Sequence, residues 1–178
     1  MNTFVTGILE RNEVGATDGH TIYDRWLTLR LSNGIALRIF DEELISTDLE
    51  VGQTYNMILV VAVPDTIRYL SAPPENVDLE SIDREVVELR GSEGEFVEYT
   101  YVVRGTVLEP SWQAPQRAYR CMVPDFYDYE AVLVQTAIGR ILLSCTSIED
   151  NMEGLAEQIT SGGYLEWERS RLDLMAVL

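Results

Sequence analysis

The sequence predicts a mainly β fold with two short helices, an α+β class in which strands dominate. Three observations carry that expectation. Apolar and polar residues alternate along Arg25–Phe40 around an Asn33-Gly34 turn, the pattern of strands with one buried face. A β-favouring, largely apolar run recurs at Gln53–Val63. Helical spacing of apolar residues is confined to two stretches, 76–90 and 148–159. The strands are expected to form two tandem small barrels or one larger mixed β-barrel.

The hairpin fixes a register. Leu27, Leu29 and Leu31 alternate with Trp26, Thr28 and Arg30, and Ile35, Leu37 and Ile39 with Ala36, Arg38 and Phe40. A two-residue Asn33-Gly34 loop would set Leu37 against Arg30 and mix the faces, which a half-buried sheet resists. A three-residue loop, Ser32-Asn33-Gly34, with Gly34 left-handed in a bulge, keeps them apart. Leu31 then meets Ile35, Leu29 meets Leu37 and Leu27 meets Ile39. Trp26 lies across from Phe40, Thr28 from Arg38 and Arg30 from Ala36 on the outer face.

In chain order, Thr3–Glu10 reads as a first strand and Gly15–His20 as a turn-rich loop. The hairpin follows, then an acidic connection at Asp41–Gly52 with room for one helical turn. After Gln53–Val63 comes a short strand, Asp65–Leu70, that Pro73-Pro74 ends. Leu79, Ile82, Val86 and Leu89 make one helical stripe, with Asn76 as N-cap and Gly91 as stop. Beyond it, Tyr99–Glu109 and Arg117–Val123 are β-like, and Ala131–Ala137 with Arg140–Thr146 form a hairpin apolar on both faces. Ile148, Met152, Leu155 and Ile159 predict the second helix, ended by Gly162-Gly163. Strand returns over Tyr164–Leu178. The expected organisation is 1–72 as an N-terminal barrel, 73–98 as a helical linker and 99–178 as a C-terminal barrel with its helix.

A faint internal repeat underlies that division. Gly7-Ile8-Leu9-Glu10 matches Gly105-Thr106-Val107-Leu108-Glu109, Gly34 matches Gly139, and Val51-Gly52 matches Gly162-Gly163. Each half runs strand, hairpin, turn or helix, closing strand. That is the order of an OB-like five-stranded barrel.

At 178 residues the chain is long enough to bury roughly 70% of its unfolded surface. The first residues lack a basic start followed by an apolar run, and Met57–Val63 is too short to span a bilayer. Cys121 and Cys145 read as free thiols. A cytoplasmic location without membrane contact is the expectation. Thirty acids face thirteen bases, for a formal net charge of −17, and all thirteen are arginine. Such a composition resembles that of proteins from salt-loving cells, where a Debye length of about 3 Å hides self-repulsion. Alternatively the anionic surface is itself functional, as in a mimic of nucleic acid.

The absence of lysine excludes a Walker A phosphate site and Schiff-base chemistry. His20, the only histidine, sits in an Asp18-Gly19-His20 turn with no nucleophile elbow in the chain, and reads as an exposed loop residue. Two cysteines and one histidine, widely scattered, fall short of a structural zinc set, and no cofactor fingerprint occurs. Asp125, Asp128 and Glu130, among Phe126, Tyr127 and Tyr129, are weak candidates for a hard cation without EF-hand spacing.

Two functions follow, with a carboxylate-based hydrolase as a third alternative, because thirty acids always offer pairs. The first is a non-catalytic binding or adaptor module for a protein partner, which adds a strand to an exposed edge. The second is a single-stranded nucleic-acid binder using Trp26, Arg30, Arg38 and Phe40 for stacking and cation–π contact. Net charge opposes the second, because counterion release needs a basic track.

Overall fold

A computed structural model describes residues 3–62, 66–77, 83–91, 94–112, 118–122, 130–145, 148 and 154–178, with the backbone alone for 62, 83–91, 94–101 and 168–170. Among them are thirteen strands: β1 (Val5–Val14), β2 (Thr17–Asp18), β3 (Thr21–Ile22), β4 (Arg25–Arg30), β5 (Ala36–Asp41), β6 (Thr54–Ala62), β7 (Thr66–Leu70), β8 (Asp83–Gly91), β9 (Gly94–Glu109), β10 (Arg120–Cys121), β11 (Ala131–Thr136), β12 (Gly139–Ser144) and β13 (Tyr164–Val177).

The β4–β5 register is the expected one: Leu27 pairs with Ile39, Leu29 with Leu37, Trp26 with Phe40 and Thr28 with Arg38. Leu31 N–H donates to Ile35 O at 2.8 Å and Gly34 N–H to Leu31 O at 3.0 Å, with Gly34 at φ 87°. The three-residue loop forms because a two-residue one would turn the leucines out of the core.

Strands β1, β4, β5, β13 and β6 pair in that order, and β6 returns to β1 to close a five-stranded barrel. All neighbours are antiparallel except β5 and β13, which run parallel through Phe40 and Asp173. Strands β12, β11 and β9 continue from β6 and reach β13, so a second circuit of pairings shares β6 and β13 with the first. Its one parallel contact is between β12 and β6. Strand β7 pairs with Tyr164–Glu168 of β13, and β8 lies along Gly94–Val102 of β9.

The interiors of both circuits merge into one apolar cluster that includes Leu27, Leu37, Leu59, Val61, Val134, Leu143, Trp167 and Leu172. Ile58 and Val60 point the other way, into a second cluster with Leu133, Leu142 and Met175 under Trp112. Strand β6 is therefore buried on both faces, which accounts for its unbroken apolar run. Each such side chain contributes about 1.5–3 kcal/mol on burial.

Corresponding pairs recur in the two circuits. Ile8 and Leu9 face Arg30 and Leu29, as Thr106 and Val107 face Gln135 and Val134. The ladder then slips at Glu10 in β1 and at Leu108 in β9, one bulge in each. Gly52 N–H donates to Leu9 O at 2.7 Å and Leu9 N–H to Gln53 O at 2.9 Å. Gly162 N–H donates to Val107 O and Val107 N–H to Gly163 O, both at 2.8 Å. Their hairpins differ by one loop residue, three at 32–34 and two at 137–138.

The first expected helix is not formed. Residues 83–91, placed in a helix over 76–90 and a helical linker over 73–98, are strand β8, paired with β9 from Asp83–Val102 to Gly91–Gly94. Val86 and Leu89 fit a helical stripe, but a short apolar run does not separate the two periods. A long β9 offers a backbone partner, and Gly91, expected to stop a helix, pairs with Gly94 in the β8–β9 ladder. Of the second helix, 149–153 lie outside the described residues. Ile148, Leu155 and Ile159 are buried in the core, and Ala156–Gln158 forms a 3-10 turn. The acidic connection is a series of turns held by Asp41, whose buried carboxylate accepts from Ile45 N–H, Ser46 N–H and the Ser46 hydroxyl.

Strand β1 crosses β4 so closely that Gly7 has no room for a side chain. A Cβ there would stand 2.6 Å from Arg30 O and 2.9 Å from Leu29 Cγ, and one on Gly105 2.4 Å from Gln135 O and 2.5 Å from Val134 Cγ1. Gly7→Ala and Gly105→Ala are each expected to cost about 1–3 kcal/mol through overpacking, read as a lowered urea midpoint. Gly34→Ala, with open space around it, pays only backbone strain of about 1 kcal/mol.

Candidate functional site

The outer face of β4 and β5 joins the outer face of β13. Trp26 and Phe40 pack at 4.8 Å between ring centroids, tilted by 51°. Arg38 lies over the Trp26 ring with Cζ 5.3 Å from its centroid, and Arg171 over Phe40 at 4.1 Å. Alternation puts all of these on one side: Trp26, Thr28 and Arg30 on β4, Ala36, Arg38 and Phe40 on β5. Trp26 nevertheless keeps only 5% of its surface exposed. As placed it is a packed ring with no open face for a base, and Phe40 is half-buried.

The arginines of this face are bound by carboxylates. Arg30 donates to both oxygens of Glu10 at 3.0 Å and to Gly34 O at 2.8 Å. Arg38 donates to Glu13 and, at 3.3 Å, to Thr28 Oγ1. Arg171 grips Asp173 with bonds of 2.6 and 2.8 Å. Burial pushes the Asp173 carboxyl above its ordinary range, against the opposing pull of Arg171. Glu10 is lowered by its hydrogen bond to Arg30. Elsewhere Arg104 pairs with Glu166 at 3.0 Å and Arg120 with Asp48 at 2.8 Å.

A second feature lies between the two hairpin tips. A groove of about 1040 Å³ runs over β1 from residues 30–33 to residues 135–139. Thr6, Ile8, Asn33, Thr106 and Gln135 line it, and Ile8 is 46% exposed. The groove brings together corresponding positions of the two circuits, Ile8 with Thr106 and Arg30 with Gln135.

The four residues singled out from sequence thus share one face, and Arg30 also lines the groove. Sequence reasoning missed Glu13, Arg171 and Asp173, because no local pattern brings the end of the chain beside β5. It also missed the groove, although Gly7 lines it and Gly105 adjoins Thr106 on its other side. His20 is exposed in the β2–β3 turn. Asp125 and Asp128 lie outside the described residues, and Glu130 is exposed. Among the described residues no three His, Cys, Asp or Glu side chains converge to hold a metal ion, and no helix is long and apolar enough to cross a membrane.

No family model, curated protein or solved structure matches the chain.

Trp26→Ala is expected to destabilise the fold by about 3–5 kcal/mol, the cost of emptying a buried tryptophan site. A ring merely waiting for a ligand would change the urea midpoint very little. A second expectation concerns Tyr164, buried with its phenol donating to Glu166 Oε2 at 2.6 Å. Burial, then the Glu166 hydrogen bond and charge, raise it from 10.0 to about 12. Its contribution to stability is complete below the unfolded value and is lost as pH rises towards the folded one. Stability should fall between pH 10 and about 12, and Tyr164→Phe should flatten that part of the curve.

Proposed function

We propose that this protein is a non-catalytic acidic binding module, a duplicated pair of OB-like halves that exchange their closing strands, and that it recognises a basic protein partner. In this view β4 and β5 are the second and third strands of the first half, and β13 takes the place of its fifth. One observation carries the choice of partner. Five of the thirteen arginines, including both on the β4–β5 face, already pair with carboxylates of the same chain, Arg30 with Glu10, Arg38 with Glu13, Arg104 with Glu166, Arg120 with Asp48 and Arg171 with Asp173. With thirty acids to thirteen bases, the outward field is negative. Such a field steers cationic proteins and repels polyanions.

A second reading keeps a specific observation of its own. Trp26, Phe40 and Arg38 stand on the strands with which OB barrels hold single-stranded nucleic acid. It requires the Arg38–Glu13 and Arg171–Asp173 pairs to open and the phosphate backbone to replace carboxylates. Adaptation to a salty cytoplasm fits the same composition and leaves either partner in place.

The test is affinity capture from native lysate at matched salt, after nuclease treatment, beside gel shifts with oligothymidylate from low to molar salt. A stoichiometric basic protein that survives nuclease, with no oligothymidylate shift, is the expected result. A shift abolished by Arg38→Ala would replace the first reading with the second.

A further inference from the structure

We propose that the groove between the two hairpin tips seats an extended, uncharged peptide segment of the partner, flanked on that partner by arginine or lysine. The inference rests on the protein-binding reading above and gives it a place. The first argument is charge. Acids make up 30 of the 178 residues, yet among the described residues lining the groove none is Asp or Glu. Arg30, the one charged residue there, is neutralised by Glu10. What remains is an uncharged lining in which hydroxyls and amides alternate with apolar Phe4, Leu31, Ala137 and Ile138 around exposed Ile8. Protein interfaces have this anatomy, with charge depleted at the centre and kept at the rim. At the rim Glu109 on β9 is exposed, while Glu10 and Glu13 on β1 are engaged by Arg30 and Arg38, and the chain as a whole carries a formal net charge of −17. Basic flanks on the segment match it.

The second argument is backbone geometry. Leu9 N–H and C=O both bond towards β6, to Gln53 O and Gly52 N. Strand alternation then turns the N–H and C=O of Thr6 the other way. On that side the β1–β4 ladder ends at Ile8 and Arg30, because the chain turns back between Leu31 and Ile35. Thr6 thus has no ladder partner opposite it on β4. An added extended segment has main chain to meet there, and the Asn33 amide nitrogen, the Thr106 hydroxyl and Gln135 Oε1, a buried acceptor with no partner, to hold its polar groups.

The probe is a displayed peptide library with an uncharged, β-favouring centre between pairs of arginines. Selected peptides should bind the wild-type protein and protect the Thr6 amide from hydrogen exchange. Ile8→Arg, at an exposed position, should weaken binding at least tenfold with an unchanged thermal melt, and Thr106→Arg, at a half-buried position on the groove wall, should weaken it as much. Tyr119→Ala, outside the groove, should leave it unaltered. The inference is overturned if the library yields no binder, if binding ignores both groove variants, or if a neutral oligosaccharide is what Ile8→Arg displaces. Should a basic partner captured from lysate bind wild type and Ile8→Arg alike, partner recognition would stand and the groove would be excluded as its seat.

Discussion

Strands β6 and β13 are needed twice. Each circuit closes only by using both, so neither half of the chain completes its barrel from its own strands. Sharing places a demand on side chains that is met most fully in the middle of β6, where Met57–Val61 are buried on both faces. Met57, Leu59 and Val61 enter the common interior, while Ile58 and Val60 enter the cluster beneath Trp112. The same demand ties stability to the far end of the chain, since the wall of the N-terminal barrel includes residues 171–177.

The two halves solve one surface problem differently. On the C-terminal side the outward positions of β11 and β12 are apolar, Ala131, Leu133 and Leu142, and Trp112 with residues 118–122 covers them. On the N-terminal side the corresponding positions of β4 and β5 are Trp26, Thr28 and Arg38, and the cover is made of side chains. Arg38 and Arg171 lie over the rings and are held there by Glu13 and Asp173. A guanidinium over an aromatic ring adds about 0.5–2 kcal/mol, and the carboxylates keep it in place. The face is closed by the interactions that make it look, in sequence, like an open binding surface.

That closure bears on function. Thirty acids outnumber thirteen arginines, and five of those arginines pair with carboxylates of the same chain, so excess negative charge surrounds the neutral gaps of the surface. The groove over Thr6 and Ile8 is one such gap, bounded by two hairpin tips that the shared strands hold in register. Under the proposed protein-binding function, long-range attraction and local fit would fall to different residues, the first to the acids at large and the second to the uncharged lining of the groove.

Local rules determined what lies within a few residues. The alternation of Leu27, Leu29 and Leu31 with Trp26, Thr28 and Arg30, and the need to keep the faces apart, set the hairpin register and its left-handed Gly34 before any contact was known. Matching glycines at 7 and 105 marked two places where backbones cross closely, because no other residue fits there. The tertiary structure alone decided the rest. Residues 83–91 became strand because β9 supplied a partner, which a four-residue apolar stripe cannot reveal. That β13 pairs with β5, more than a hundred residues away, leaves no trace in local periodicity. The burial of Trp26 under Arg38 was equally invisible, since alternation assigns a face and only the neighbours packed on it decide whether that face meets water.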